Sequence, residues 1–191
     1  MIGLKGTGYR APIVVMNGVP NSPLNRYDQV KDVIIQNNTI IDCSPIVFGA
    51  GKSAELSLPA ISSVFTNNLF LNNKGGEIAE YLDTVDGIGF SGNIVDTNAT
   101  VDNRFFTKSS VDWSYDTSVP IPTENNEVLN VEKNIESPSR DILNMERSNH
   151  AVGAFNLGSS KIPKALKLRA GPGWKPNIKI RIKKPDIIDV Y

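Results

Sequence analysis

Apolar and polar positions between residues 12 and 96 recur in one pattern: a β-branched or aromatic run, an asparagine, then more apolar residues. The segments are PIVVMNG (12–18), VIIQNNTIID (33–42), VFTNNLFLN (64–72) and IGFSGNIVD (88–96). Counted from Asn17, Asn38, Asn68 and Asn93, the spacings are 21, 30 and 25 residues, which points to a repeat architecture. Val, Ile, Phe and Thr dominate each unit, and no long stretch shows helical periodicity before about residue 125. The pattern predicts a right-handed parallel β-helix in which one coil stacks on the next. Asparagines aligned at a corner tolerate left-handed backbone there, and their amides hydrogen-bond from coil to coil. The alternative is a β-sandwich with several Asn-rich turns.

Uneven spacing marks loops inserted on one face. MNGVPNSPLNRYDQ (16–29) and GAGKSAELSLPA (49–60) are the two insertions. Residues 1–102 therefore read as coils with loop insertions. Residues 103–174 read as further coils and a surface-wrapping segment of the same domain, and residues 175–191 as a basic terminal strand or tail. In that tail Ile178, Ile180 and Ile182 alternate with Lys179, Arg181 and Lys183, as in a half-buried strand. Flanking prolines place it at an edge, and its cations discourage edge-to-edge pairing.

Composition narrows the chemistry. The chain has 191 residues, 40% of them hydrophobic, enough for one domain with a sizeable core. Lys plus Arg and Asp plus Glu are 20 each, a balance that gives no sign of a nucleic-acid partner. The distribution is uneven, with nine Lys or Arg and no acid in residues 161–184. No apolar run approaches membrane-spanning length, and no signal peptide is evident at the N-terminus. One cysteine, Cys43, and one histidine, His150, exclude an internal disulfide, a Cys-cluster zinc site and a multi-His metal site. Cys43 reads as a small core residue and His150 as a surface or turn residue.

FGAGKS (48–53) resembles the tail of a phosphate-binding loop, but that pattern needs glycine where Ile46 stands, so nucleotide binding is rejected. NNT (37–39) and NAT (98–100) match glycosylation sequons, the first within a repeat corner. Arg10 follows Gly3, Gly6 and Gly8. Either it is an ordinary salt-bridging surface residue, or it is a fixed cation on the β-helix flank that grips a carboxylate at two points. Lys5, Arg26, Lys31 and Lys52 fall between strands and are expected near the same face.

The run GTGYRAPIVVMNGVPNSPLNRYDQVKDVIIQNNTIIDCSPIVFGAGKSAELSLPAISSVFTNNLF resembles the alginate lyase and chondroitinase B-like polysaccharide lyases, often called family 6. GPGW (171–174) is similar to the end of that family's catalytic domain, and DILNMERSNHAVGAF (141–155) to the segment shortly before it. The resemblance covers roughly residues 3–174. It implies a parallel β-helix of the pectin lyase-like class and cleavage of uronate polysaccharide, alginate above all, by β-elimination. In the family a calcium ion neutralises the substrate carboxylate, a lysine removes the C5 proton, and an arginine meets charge on the glycosidic oxygen.

Arg10 matches the family's catalytic arginine, and because arginine barely releases its proton, charge stabilisation is the role the match implies. Arg26, Lys52 and Glu55 are the substrate-binding candidates, although many relatives carry Glu-Arg where Leu56 follows Glu55 here. The family's base and calcium ligands lie upstream of its arginine, and Lys5 is too close to Arg10 to serve as that base. The resemblance thus implies the C-terminal portion of a longer enzyme, with no metal ligands in this chain and with weak activity alone. It also implies association with a missing N-terminal half and secretion or periplasmic export. The competing class is a non-catalytic β-helix that binds acidic polysaccharide.

Overall fold

The computed structural model describes residues 1–22, 26–72, 75–111, 113–114, 121–122, 138–147 and 152–156. His150, the GPGW segment, the basic stretch 161–184 and the terminal tail lie outside the described residues. Short strands wind in successive circuits. The first passes from Met1 through β1 (Val14–Met16) to β2 (Ile34–Gln36). The second comprises β3 (Thr39–Ile41), β4 (Ile46–Ala50) and β5 (Ser63–Thr66). The third comprises β6 (Leu69–Leu71), the two-residue β7 (Gly76–Glu77), β8 (Ala79–Tyr81) and β9 (Ile88–Ser91). Then β10 (Ile94–Val95) and β11 (Ala99–Thr100) lead to β12 (Thr107–Lys108), and β13 (Trp113–Ser114) pairs antiparallel with β14 (Ile121–Pro122).

Every other pairing between these strands is parallel and joins one circuit to the next; β7 pairs with β11, and the rest make three walls. The first wall is β3, β6, β10 and β12, headed by an Ile2–Ile41 bridge. The second is β1, β4 and β8, and the third is β2, β5 and β9. This is a parallel β-helix, not a sandwich.

Register explains the core. Val15, Phe48 and Tyr81 are aligned on the second wall, Ile35, Phe65 and Phe90 on the third, and Ile40, Phe70 and Val95 on the first. These columns belong to one apolar cluster in which Phe65 is fully buried. Aligned aromatics meet along the axis: Phe48 and Tyr81 stack 5.6 Å apart with nearly parallel rings, and Phe65 and Phe90 lie 5.7 Å apart and tilted. Such pairs add about 0.5–1.5 kcal/mol each beyond area burial. Burial pushes the Tyr81 phenol well above its ordinary pKa, with the Asp102 carboxylate adding to the effect.

The first wall is apolar on its outer side as well. Ile41, Leu69, Leu71, Ile94, Val111 and Val152 form a second cluster, and segment 152–156 closes over it. There the Gly153 amide donates to Asn67 O (2.9 Å) and the Ala154 amide to Thr39 Oγ1 (2.8 Å). Both faces being covered, β3 and β6 are buried at every position.

The corner between the third and first walls carries the asparagine ladder. Asn38 Nδ2 donates to Asn68 Oδ1 (2.9 Å), and Asn68 Nδ2 donates to Asn93 Oδ1 (3.0 Å). The backbone amides of Asn38 and Asn68 donate to the same two oxygens. The left-handed positions are one residue earlier, at Asn37, Asn67 and Gly92. Asn17 is not a member: it follows β1 on the second wall, so the 21-residue spacing measures two different corners. Asn37, the first sequon asparagine, is buried, and Cys43 is only half-buried at the margin of the core.

Candidate functional site

Chain leaving the second wall builds the candidate site. The loops after β1 and β4 lie one above the other. Gly18 and Leu58 exchange backbone hydrogen bonds at 2.8 and 3.0 Å, and Gln29 Nε2 donates to Pro59 O (2.7 Å). The upper loop carries Arg26 and the lower carries Lys52 and Glu55. Arg26 Nη1 donates to Glu55 Oε1 at 3.1 Å, both side chains well exposed. Lys52 Nζ reaches instead to Asp83, two residues beyond β8, at 2.5 Å. Two substrate-binding candidates, Arg26 and Glu55, are thus brought together, and the third is held beside them by an acid from the next circuit.

Asp83 is the residue that sequence reasoning missed. Its Oδ1 accepts from Lys52 and from the Thr84 amide (2.8 Å), and its Oδ2 accepts from Asn17 Nδ2 (2.7 Å). The Lys52 ammonium, the Asn17 amide and the Thr84 N–H hold its carboxyl at about 2, below an ordinary value of 3.8. Asn17 is 1% exposed, and its amide also donates to Leu56 O (3.2 Å) while Oδ1 is buried without a partner. The sequence signal for Asp83 is the register that sets Phe48 opposite Tyr81; only that alignment brings the segment after β8 under the loop after β4.

Arg10 ends a 3-10 turn, Gly8–Arg10, that packs on β1 and β4. Its tightness requires Gly6, where a Cβ would stand 1.8 Å from Arg10 O. Arg10 is exposed, and among the described residues it has no carboxylate partner, unlike Arg26 and Lys52. The preceding Tyr9 lies against the β4 exit: its hydroxyl is 2.9 Å from where a Cβ on Gly51 would be. The turn therefore borders the loop that bears Lys52 and Glu55. The other two cations expected on this face are elsewhere. Lys5 Nζ donates to Asp42 O, and Lys31 bridges Ile61 at the entry to the third wall.

Chemically, the patch presents one guanidinium without a carboxylate partner among the described residues, one ammonium fixed by an acid and one exposed Arg–Glu pair. It is suited to holding an anion and to stabilising negative charge as it forms. Among the described residues no three His, Cys, Asp or Glu side chains gather at one point. The described residues therefore offer no carboxylate cluster of the kind that holds a calcium ion. After FGAGKS the chain bends without entering a helix, so no phosphate-binding helix N-terminus follows it.

The family model for chondroitinase B matches residues 2–137, a span that includes Arg10, Arg26, Lys52, Glu55 and Asp83. Among solved structures, PL6 family alginate lyase AlyGC is 32% identical with a TM-score of 0.62, over 66% of this chain and 18% of AlyGC. An arginine-to-alanine mutant of AlyGC is 34% identical with a TM-score of 0.61, over 63% of this chain and 17% of that one. The chain thus spans under one fifth of the enzyme it resembles. No curated protein matches it.

Proposed function

The chain belongs to the chondroitinase B family, and from that premise we propose that it is the arginine-bearing part of a polysaccharide lyase acting on alginate-type uronate polymers. The observation that carries the reading is the family match over residues 2–137, which takes in the whole cationic patch. Alginate enters through AlyGC, the alginate lyase that two-thirds of this chain resembles.

In β-elimination the proton on C5 leaves to a base and the glycosidic oxygen departs with negative charge. Arg10 is assigned to that oxygen. Its guanidinium meets the charge electrostatically, as a fixed cation that donates hydrogen bonds to the oxygen. Lys52, Arg26 and Glu55 hold the polymer. Lys5 is not assigned as base, since its ammonium is engaged by the Asp42 carbonyl. In this proposal no described residue is assigned as the base or as a calcium ligand. Turnover by the chain alone is therefore expected to be absent or slow, and the rest of a family 6 enzyme is the partner expected to restore it. A polymer of this kind is met outside the cytoplasm, so secretion or periplasmic export is part of the proposal.

The test pairs calorimetric titration with alginate oligosaccharides and ultraviolet detection of unsaturated product, each with and without Arg10→Ala. The lyase reading expects affinity within about twofold of the parent in Arg10→Ala, and loss of whatever elimination the parent shows alone or complemented. Affinity that collapses in Arg10→Ala, with no elimination by the parent under either condition, would make the protein a binding module instead.

A further inference from the structure

Three successive circuits converge after the second wall. Asn17 comes from the first, Lys52 from the second and Asp83 from the third, and both oxygens of the Asp83 carboxylate are engaged within this group or by Thr84. Lys52 is over half exposed while the Asp83 side chain is only 11% exposed. The acid is therefore set back and the ammonium stands in front of it. One of the three ammonium N–H groups is spent on Asp83, which leaves two for a ligand.

The fold gives up stability to make this arrangement. Gly49 interrupts β4 with φ +75°, and a Cβ there would lie 2.5 Å from Asp83 N, so only glycine lets Asp83 approach. Asn17 is committed to Asp83 at the cost of a buried, unpaired Oδ1. A surface ion pair needs neither device, since exposed Lys–Asp pairs form without a shaped backbone and contribute little. Tyr9, 65% exposed, has its hydroxyl against Gly51, the residue before Lys52, and offers a flat apolar ring with a polar tip.

We infer that this corner is a preformed subsite for a uronate carboxylate, in which Lys52 contacts the ligand and Asp83 is the positioning residue that aims it. The inference rests on the proposed function for its ligand class. Asp83 fixes the lysine rotamer before the polymer arrives, so less side-chain freedom is lost on binding. Asn17 and Gly49 in turn fix Asp83.

Charge and position have opposite signs here, which makes the inference testable. Removing the negative charge of Asp83 makes the corner more attractive to a polyanion, so on charge alone Asp83→Asn should bind alginate oligosaccharides more tightly. A positioning role expects the reverse. Titration of the 191-residue chain with alginate oligosaccharides should show about tenfold weaker binding in Lys52→Ala, a single charge-assisted contact. Asp83→Asn should weaken binding about threefold or more, and the double variant should be no worse than Lys52→Ala. Thermal unfolding confirms that each variant is folded. If Asp83→Asn does not fold, Asp83→Glu keeps the charge and moves it by one methylene, and the same threefold weakening is expected. Equal or tighter binding in whichever of the two variants folds overturns the inference while leaving the proposed function intact. No binding by the parent chain overturns both.

Discussion

Truncating the middle rung of the asparagine ladder should cost far more than truncating its first. Asn68 is wholly buried. Its Oδ1 accepts from Asn38 N (3.0 Å) and Asn38 Nδ2 (2.9 Å), and its Nδ2 donates to Ile35 O (3.0 Å) and Asn93 Oδ1 (3.0 Å). In Asn68→Ala the Asn93 oxygen keeps the Asn68 backbone amide, but the Asn38 amide and the Ile35 carbonyl each lose the ladder bond. Two such groups at about 1–3 kcal/mol each give a loss of about 2–6 kcal/mol. In Asn38→Ala, Asn68 Oδ1 keeps the Asn38 amide, and the other bond lost runs to Gln36 O on the edge strand of the third wall. That variant should lose about 1 kcal/mol. Urea unfolding followed by far-ultraviolet circular dichroism reads both as midpoint shifts at constant slope. Asn68→Asp is the sharper control, because it keeps size and acceptor but aims an oxygen at two other oxygens. It should be less stable than Asn68→Ala. Equal midpoints for Asn68→Ala and Asn38→Ala, or an Asp variant as stable as the parent, would refute the ladder as the source of corner stability.

Phe65 touches the rings of Phe48, Phe70, Phe90 and Phe106 at centroid distances of 5.6–6.4 Å, so Phe65→Ala should cost about 3–5 kcal/mol, read by chemical unfolding. Asp141 is buried, and its carboxylate accepts from the amides of Leu143, Met145 and Asn156 at 2.8–3.0 Å. Asp141→Ala should release the 152–156 cover from the first wall, read as faster limited proteolysis and new binding of a hydrophobic dye. The Asp83 carboxyl, held at about 2 against 3.8 unfolded, contributes stability that is fully present above about pH 4. That contribution is lost as pH falls towards 2, because the unfolded state then binds the proton more readily. The slope of stability against pH in that window should shrink in Lys52→Met, and an unchanged slope would remove Lys52 as the cause.

The repeat was legible because it is written in residue types that corners and walls demand. Asn38, Asn68 and Asn93 each follow a strand and precede another, and their 30- and 25-residue spacings are true circuits. Asn17 matched the same local pattern yet belongs to another corner, because a strand followed by asparagine does not say which wall the strand is in. The two long loops were visible as polar insertions, and the stacking that brings Arg26 to Glu55 follows from their equivalent places in consecutive circuits. Lys5 and Lys31 were grouped with them only because they also fall between strands, and the walls separate them. Asp83 was hidden for a stronger reason. Its two side-chain partners are 31 and 66 residues away, and no local pattern marks an acid whose meaning depends on coil register. The cover over the first wall was equally remote. Thr39 bonds to Ala154 across 115 residues, so a polar stretch was visible but not the apolar Val152 and Phe155 contacts that dock it.

The arrangement of charges bears on how a polyanion would be recognised. Arg26 with Glu55 and Lys52 with Asp83 are each neutral as pairs, which agrees with equal counts of acids and bases in the chain. Such a surface does not draw in a polyanion by net charge, and long-range attraction between exposed charges is screened within about 8–10 Å at ordinary salt. What it offers is spacing. Consecutive circuits of a parallel β-helix repeat every strand separation, about 4.8 Å, so the loops after β1 and β4 present their cations from successive levels. The acids that neutralise those cations also keep them from searching other rotamers. Arg10 is the exception, exposed and without a carboxylate partner among the described residues. Under the proposed lyase function, the paired cations hold the polymer in both states alike and Arg10 contributes most where new charge appears, which separates binding from stabilisation of the departing oxygen.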